Sequence, residues 1–151
     1  MSLPSYLLDT SVIVALLGGK ELGARIDEAY GLRKSPLRPL VCVVTHGELK
    51  AMARVNKLGP TKVAATELAL GELTTIDLHD QDVLRAYAEI YDHLRSHPKG
   101  SRTNMGENDM WIAAATRAAN ATLLTLDTDF DALFPAMIQR VYIQRQSPVV
   151  S

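Results

Sequence analysis

The sequence predicts an α/β fold, a three-layer α/β/α sandwich around a mostly parallel sheet of roughly five strands. Three observations predict it. Short apolar runs alternate with longer segments of helical period. One of those runs, Leu40–Val44, is continuously apolar and largely β-branched, the signature of a strand buried on both faces. Gly, Pro and polar clusters punctuate the junctions, so strands and helices take turns along the chain, the pattern that places helices on both sides of a parallel sheet.

In chain order, Tyr6-Leu7-Leu8 is a short strand that ends at Asp9, and the run Val12–Leu17 is a helix interrupted by Gly18-Gly19. Pro36 and Pro39 bound a loop before the second strand, Leu40–Val44. Thr45 opens a helix that runs to about Lys57, Gly59-Pro60 breaks it, and a second helix spans about Thr61–Leu70. The two form a helical hairpin over about residues 45–70. Leu73–Ile76 reads as a third strand, after which Val83, Leu84, Tyr87, Ile90, Tyr91 and Leu94 recur at helical spacing until Pro98. Lys99–Gly106 lacks periodicity and reads as a loop, followed by a helix from about Glu107 to Ala119. Ala121–Leu126 is the fourth strand, Asp129–Phe134 a short turn, and Ile138–Ile143 the fifth strand. With no repeat, low-complexity tract or linker, residues 1–151 are expected to form a single domain.

At 151 residues the chain is long enough to bury roughly two thirds of its unfolded surface without staples. No segment approaches the roughly 20 apolar residues of a membrane span, and the N-terminus lacks a basic stretch followed by a signal-type apolar run, which predicts a cytoplasmic protein. The one cysteine, Cys42, lies inside Val41-Cys42-Val43-Val44 and reads as a small buried hydrophobe. A net charge of -1 argues against a broadly basic nucleic-acid coat and leaves room only for local patches. Candidates are Arg33, Lys34 and Arg38; Arg95, Lys99 and Arg102, just upstream of Asp109; and Arg140 with Arg145.

Asp9 follows the first strand, Glu48 lies just beyond the second and Asp127 follows the fourth, so all three belong at the carboxyl edge of a parallel sheet, where open α/β folds bind ligands. Asp109 opens the helix that precedes strand four, and that helix starts at the same edge. Each acid also has a local reading: Asp9 as a helix cap, Thr45 and Glu48 as a capping box, Asp109 as a complement to its helix dipole, Asp127 as a turn starter. Four independent caps have no reason to share one rim beside Ser11, Asn108 and Thr125. Two like charges about 4 Å apart repel by roughly 4 kcal/mol at an effective dielectric near 20, so such a cluster calls for protons or cations. Oxygen ligands without clustered Cys or His favour Mg²⁺ or Mn²⁺.

The same residues, in this order, resemble the PIN-domain family and, within it, the VapC-like toxins of bacterial and archaeal toxin–antitoxin pairs. The resemblance runs nearly end to end and rests on Leu8-Asp9-Thr10-Ser11-Val12-Ile13, Val44-Thr45-His46-Gly47-Glu48-Leu49, Asn108-Asp109-Met110-Trp111-Ile112-Ala113-Ala114 and Thr125-Leu126-Asp127-Thr128-Asp129-Phe130. It implies a Mg²⁺- or Mn²⁺-dependent endoribonuclease that hydrolyses phosphodiesters through water activated by one or two ions, acting on RNA such as tRNA or rRNA. It implies a cognate antitoxin whose tail blocks the cleft, and a homodimer. Asp9 and Asp109 are its principal metal ligands, Glu48 and Asp127 complete the quartet, and Thr10, Ser11 and Thr125 position water or ligands. Asn108 is a neutral neighbour of the metal, and Asp129 either joins the site or caps the turn into Phe130. Arg95, Lys99 and Arg102 are the expected RNA contacts. His46-Gly47 ahead of Glu48 departs mildly from a good helix start. His79, His93 and His97 are expected to face solvent, and Trp111 to pack in the core. Alternatives are a PIN nuclease that processes RNA outside a toxin pair, and a non-catalytic interaction module, although the latter usually loses its acids. An aspartate-nucleophile phosphatase also places an Asp after a strand, as Asp9 is placed, but the paired Asp-x-Asp it uses is not found at Asp9.

Overall fold

The computed structural model describes residues 3–96 and 105–146. Five strands, β1 (Tyr6–Leu8), β2 (Leu40–Cys42), β3 (Thr74–Ile76), β4 (Thr122–Thr125) and β5 (Gln139–Tyr142), lie in the order β3-β2-β1-β4-β5. Every neighbouring pair is parallel, so among the described residues the sheet has no antiparallel member. The chain builds outward from β1 to β2 and β3, then crosses back to add β4 and β5 on the other side. The switch in direction falls between β1 and β4, and a crevice opens outside the carboxyl ends of strands at such a point.

Successive strand residues point to opposite faces, and this alternation divides the core in two. Leu7, Cys42 and Leu123 join the cluster built on Val83, Ala86 and Ile90 of α5 (Gln81–Ser96) and on Ile112 to Ala115 of α6 (Glu107–Ala118). Leu8, Val41 and Leu124 face the other way. They meet Val12 and Ile13 of α1 (Thr10–Leu17), Ile26 of α2 (Glu21–Tyr30), Leu49 of α3 (Val43–Val55) and Leu70 of α4 (Pro60–Gly71). The result is the α/β/α sandwich expected from the sequence. Among the described residues, no helix is long and apolar enough to cross a membrane.

The structure corrects the start of the hairpin. β2 stops at Cys42, and Val43 and Val44, expected in the strand, form the first turn of α3. Cys42 occupies the N-cap with extended backbone and no side-chain cap bond, so Thr45 caps nothing; it lies within the helix, fully buried. The β-branched residues yield their strand preference because an early helix start is what tucks Thr45 under α1, a case of tertiary contacts overriding propensity. Within the hairpin Leu49 and Leu70 are buried, whereas Met52, Val55, Val63 and Leu68 are exposed, Leu68 by 71% and Val55 by 79%.

α2 is an element that apolar periodicity does not disclose. Its only buried residues are Gly23 and Ile26, and it ends in Gly31 with a left-handed backbone (φ 59°). Gly23 is buried because α2 crosses α1 there: a Cβ at that position would stand 2.5 Å from the Ala15 carbonyl oxygen. Gly47, in the exposed face of α3, has open space instead, with nothing within 4 Å of where a Cβ would stand. The two glycines therefore separate helix propensity from packing. Gly47→Ala should stabilise the protein by about 0.5–1 kcal/mol, and Gly23→Ala should destabilise it by about 1–3 kcal/mol through overpacking. Urea denaturation midpoints of the two variants should shift in opposite directions; a stabilised Gly23→Ala would contradict the close crossing.

Candidate active site

Asp9 terminates β1 and caps α1, and it performs both roles with one carboxylate. Its backbone N–H donates to the Leu124 carbonyl at 3.0 Å, which continues the β1–β4 ladder one residue past the strand. Its Oδ1 accepts from the Thr10 N–H at 2.8 Å. Its Oδ2 accepts from the Ser11 hydroxyl at 2.8 Å and from the Thr125 hydroxyl at 2.7 Å. Both hydroxyls are themselves fixed by accepting: Ser11 Oγ from the Leu126 N–H at 3.1 Å and Thr125 Oγ1 from the Asp127 N–H at 3.0 Å. α1 and the turn after β4 are thus laced together through Asp9, which is only 2% exposed. Burial raises its carboxyl above the ordinary range, the hydrogen bonds from Thr125 and Ser11 oppose the rise, and the charge of Asp127 adds to it.

Glu48 reaches the same rim from α3. Thr10 Oγ1 donates to Glu48 Oε1 at 2.7 Å and lies 2.8 Å from Thr45 Oγ1. A hydroxyl has one proton; with that of Thr10 given to the carboxylate, Thr45 supplies the proton of the second bond. Glu48 is therefore held by α1 rather than by a capping box, because Thr45 sits inside α3 instead of at its cap. Thr45 is a structural contributor to the site that its sequence context disguised as a cap.

Asp109 stands in the first turn of α6, half-buried. Burial is the largest influence on its carboxyl, followed by the charges of Asp9, Asp129, Glu48 and Asp127, and together they push its pKa up to about 7. A carboxyl so placed holds its proton into the neutral range unless positive charge arrives. Asp127 ends the turn after β4 and lines the cleft without capping the 3-10 helix Thr128–Leu133 that follows. Asp129 is exposed on that helix, yet its charge reaches Asp109.

Asp9, Glu48, Asp109 and Asp127 line one cleft of about 610 Å³, together with Thr10, Ser11, Val14 and Ala15 along α1. The donor set is all oxygen. Each carboxylate oxygen accepts about two hydrogen bonds, so Oδ2 of Asp9 is saturated and Oδ1 retains one lone pair. Among the described residues, no group of three or more His, Cys, Asp or Glu side chains stands close enough together to hold a metal ion by itself. These residues fit a small hard cation that keeps water or substrate oxygens in its coordination shell, as Mg²⁺ does, and they do not fit a fully enclosed ion.

The remaining expected residues divide. Asn108 is exposed and does not line the cleft. Arg95 is exposed at the end of α5, 6.0 Å over the Tyr91 ring, and not on the cleft; Lys99, Arg102 and His97 lie outside the described residues. His46 Nε2 is 2.9 Å from the Thr75 hydroxyl of β3, on the α3–β3 side. His79 is exposed, but His93 is half-buried rather than solvent-facing. Trp111 stacks on Tyr87 with ring centroids 4.0 Å apart, a packing role. Cys42 is fully buried and its thiol is pushed up to about 11 by burial, which leaves it inert near neutrality. The same cleft is also lined by Lys20 and Arg145. Lys20 carried no signal beyond its place after the Gly18-Gly19 turn.

Comparison with known proteins gives the same picture. The PIN domain family model matches residues 6–133. The chain is 34% identical over 131 residues to the ribonuclease VapC5 of Mycobacterium tuberculosis, covering 84% of this chain and 86% of the relative. Among solved structures it is similar to the VapBC-5 toxin–antitoxin complex of Mycobacterium tuberculosis, with a TM-score of 0.65 and 28% identity over 93% of this chain and 100% of that one. It also shares its fold with a chain of Rickettsia felis VapBC2 bound to promoter DNA, with a TM-score of 0.74 and 22% identity over 91% and 97% of the two chains. With the family model matching most of its length and a 34% identical relative covered nearly end to end, the chain belongs to the PIN-domain family.

Proposed function

We propose that this protein is a divalent-metal-dependent endoribonuclease and the toxin of a VapBC-type pair. The observation that carries the reading is the convergence of Asp9, Glu48, Asp109 and Asp127 on one cleft, tightly enough that the other three all act on Asp109. The similarity to ribonuclease VapC5 supports RNA as the substrate, and the VapBC complexes support an antitoxin as partner. Magnesium or manganese, when bound, supplies the positive charge that makes water a better nucleophile and offsets charge building on the phosphodiester. Asp9 and Asp109 are the principal ligands in this reading, with Glu48 and Asp127 completing the set.

The protein's own groups do the positioning. Ser11 and Thr125 fix the orientation of Asp9 from two sides and leave Oδ1 facing a ligand. Thr10 holds Glu48 in place across the gap between α1 and α3. Asp109, whose proton is retained to about pH 7 without a counter-charge, would be ionised beside a bound cation and so serve as one of its ligands. The exposed Met52, Val55, Val63 and Leu68 of the hairpin offer the apolar surface that an antitoxin segment or a second copy of the chain would cover.

Asp109→Asn separates function from folding. Cleavage of RNA with Mg²⁺ or Mn²⁺ should fall by roughly 10² or more, the scale of losing one charge-stabilising group. The metal-free protein should melt a few degrees higher, because one member of a repelling quartet is gone. Cleavage at the wild-type rate by this variant would sink the assignment. Absence of cleavage by the wild type, together with a melting temperature unmoved by millimolar Mn²⁺, would favour a non-catalytic binding module instead.

The sign of the pH dependence follows from the raised value. Unfolded aspartate titrates near 3.9 and folded Asp109 near 7, so between those limits the native state holds the extra proton and loses stability as pH rises. Asp9, raised as well, acts in the same direction. The melting advantage of Asp109→Asn over the wild type should therefore widen from pH 5 to pH 8 in chelator and narrow when Mn²⁺ is added. An advantage that shrinks with rising pH would contradict the raised carboxyl.

A further inference from the structure

The acidic cleft has a basic end. Its floor is one face of α1: Thr10 and Ser11 beside the carboxylates, then Val14 and Ala15, then Gly18. Past the end of α1 the lining continues with Lys20 and Leu22, and Arg145 joins it from the stretch after β5. At 1.5 Å per residue the path from Thr10 to Gly18 is roughly 12 Å along the helix. The two ends of the cleft are thus far enough apart for different groups of one extended ligand.

Two observations make this end more than a chance meeting of surface cations. Whereas Arg33, Lys50, Arg85, Arg117 and Arg140 are each in an ion pair with Asp or Glu, Lys20 and Arg145, like Lys34, Arg38, Arg54, Lys57 and Lys62, are in none among the described residues, and of these unpaired cations they alone line the cleft that holds four carboxylates. The segment that carries Arg145 is also anchored: Arg25 of α2 donates to the carbonyl of Gln144, which ties the stretch after β5 to the helix that Lys20 begins. Two cations from distant parts of the chain are therefore brought together and left free to take an anion from outside.

We propose that Lys20 and Arg145 form a phosphate clamp for the strand that enters the active site, gripping a backbone phosphate away from the one being cut while the apolar floor at Val14 and Leu22 runs beneath the intervening sugar and base. The clamp rests on the ribonuclease reading. It reads charge rather than base identity, since side chains that grip phosphate fix register without conveying sequence. A lysine and an arginine released from ion pairing also suit this use, Arg as a fork and Lys as a mobile point charge.

The test uses the full chain in the non-cleaving Asp109→Asn background and a fluorescent single-stranded RNA that the wild type cuts. Adding Lys20→Gln and Arg145→Gln should weaken binding by roughly tenfold and flatten the log–log salt dependence of affinity by roughly 0.7, the single-strand value for the one phosphate the clamp holds. The flattened slope is the decisive readout, because a merely structural defect would lower the active fraction without changing it. Arg85→Gln, exposed on α5 and outside the cleft, should leave affinity within about twofold. If the wild type cuts RNA and the Asp109→Asn protein binds it, but the double change moves neither affinity nor slope, the clamp is refuted and the nuclease reading stands. If the wild type neither cuts nor binds RNA, both fail together.

Discussion

Crowding of like charge on one edge of a parallel sheet is the constraint around which this protein is organised. Carboxylates from β1, α3, α6 and the turn after β4 meet at the crossover between β1 and β4, and among the described residues no cationic side chain is paired with them. What keeps them in place is a set of hydroxyls. Ser11 and Thr125 hold Asp9, Thr10 holds Glu48, and each hydroxyl is oriented in turn by a backbone N–H or by a second hydroxyl. Hydroxyls suit this purpose because they donate to an anion without cancelling its charge. Lysines in the same positions would satisfy the acids and leave nothing for a metal to do.

The scaffold spreads the cost of that arrangement through the core. Alternation along three central strands sends Leu7, Cys42 and Leu123 to one face and Leu8, Val41 and Leu124 to the other, so both faces are sealed by helices and the polar opening lies at the rim. A buried carboxyl such as Asp9 is tolerable because it accepts three hydrogen bonds. The site is strained electrostatically while its backbone stays regular, which matches the general finding that local rules are broken where function is built.

Much of this was legible in the sequence, for identifiable reasons. Strand ends followed by Asp9 and Asp127 stand out because short apolar runs stop abruptly at a charge, and Asp109 stands out because it opens the helix that precedes strand four and so starts at the same edge. What was hidden is equally specific. Thr45 reads as the cap of a box with Glu48, and only the early start of α3 at Val43 shows that Thr45 lies inside the helix and beside the site. α2 buries Gly23 and Ile26 alone, too narrow a stripe for periodicity to register. Lys20 and Arg145 are 125 positions apart, and no local pattern announces that a turn after α1 and the segment after β5 share a wall.

The crossing of α1 and α2 at Gly23 gives the cleft a fixed length. α2 can lie against the Ala15 carbonyl only where a side chain is missing, and the start of that helix carries Lys20. An absent methyl group in the hydrophobic layer therefore sets how far the basic wall stands from the carboxylates, much as the spacing of jaws is set by the pin of a caliper. On the proposed clamp, the length of strand the cleft would span is set in the interior, at Gly23, which does not line the cleft.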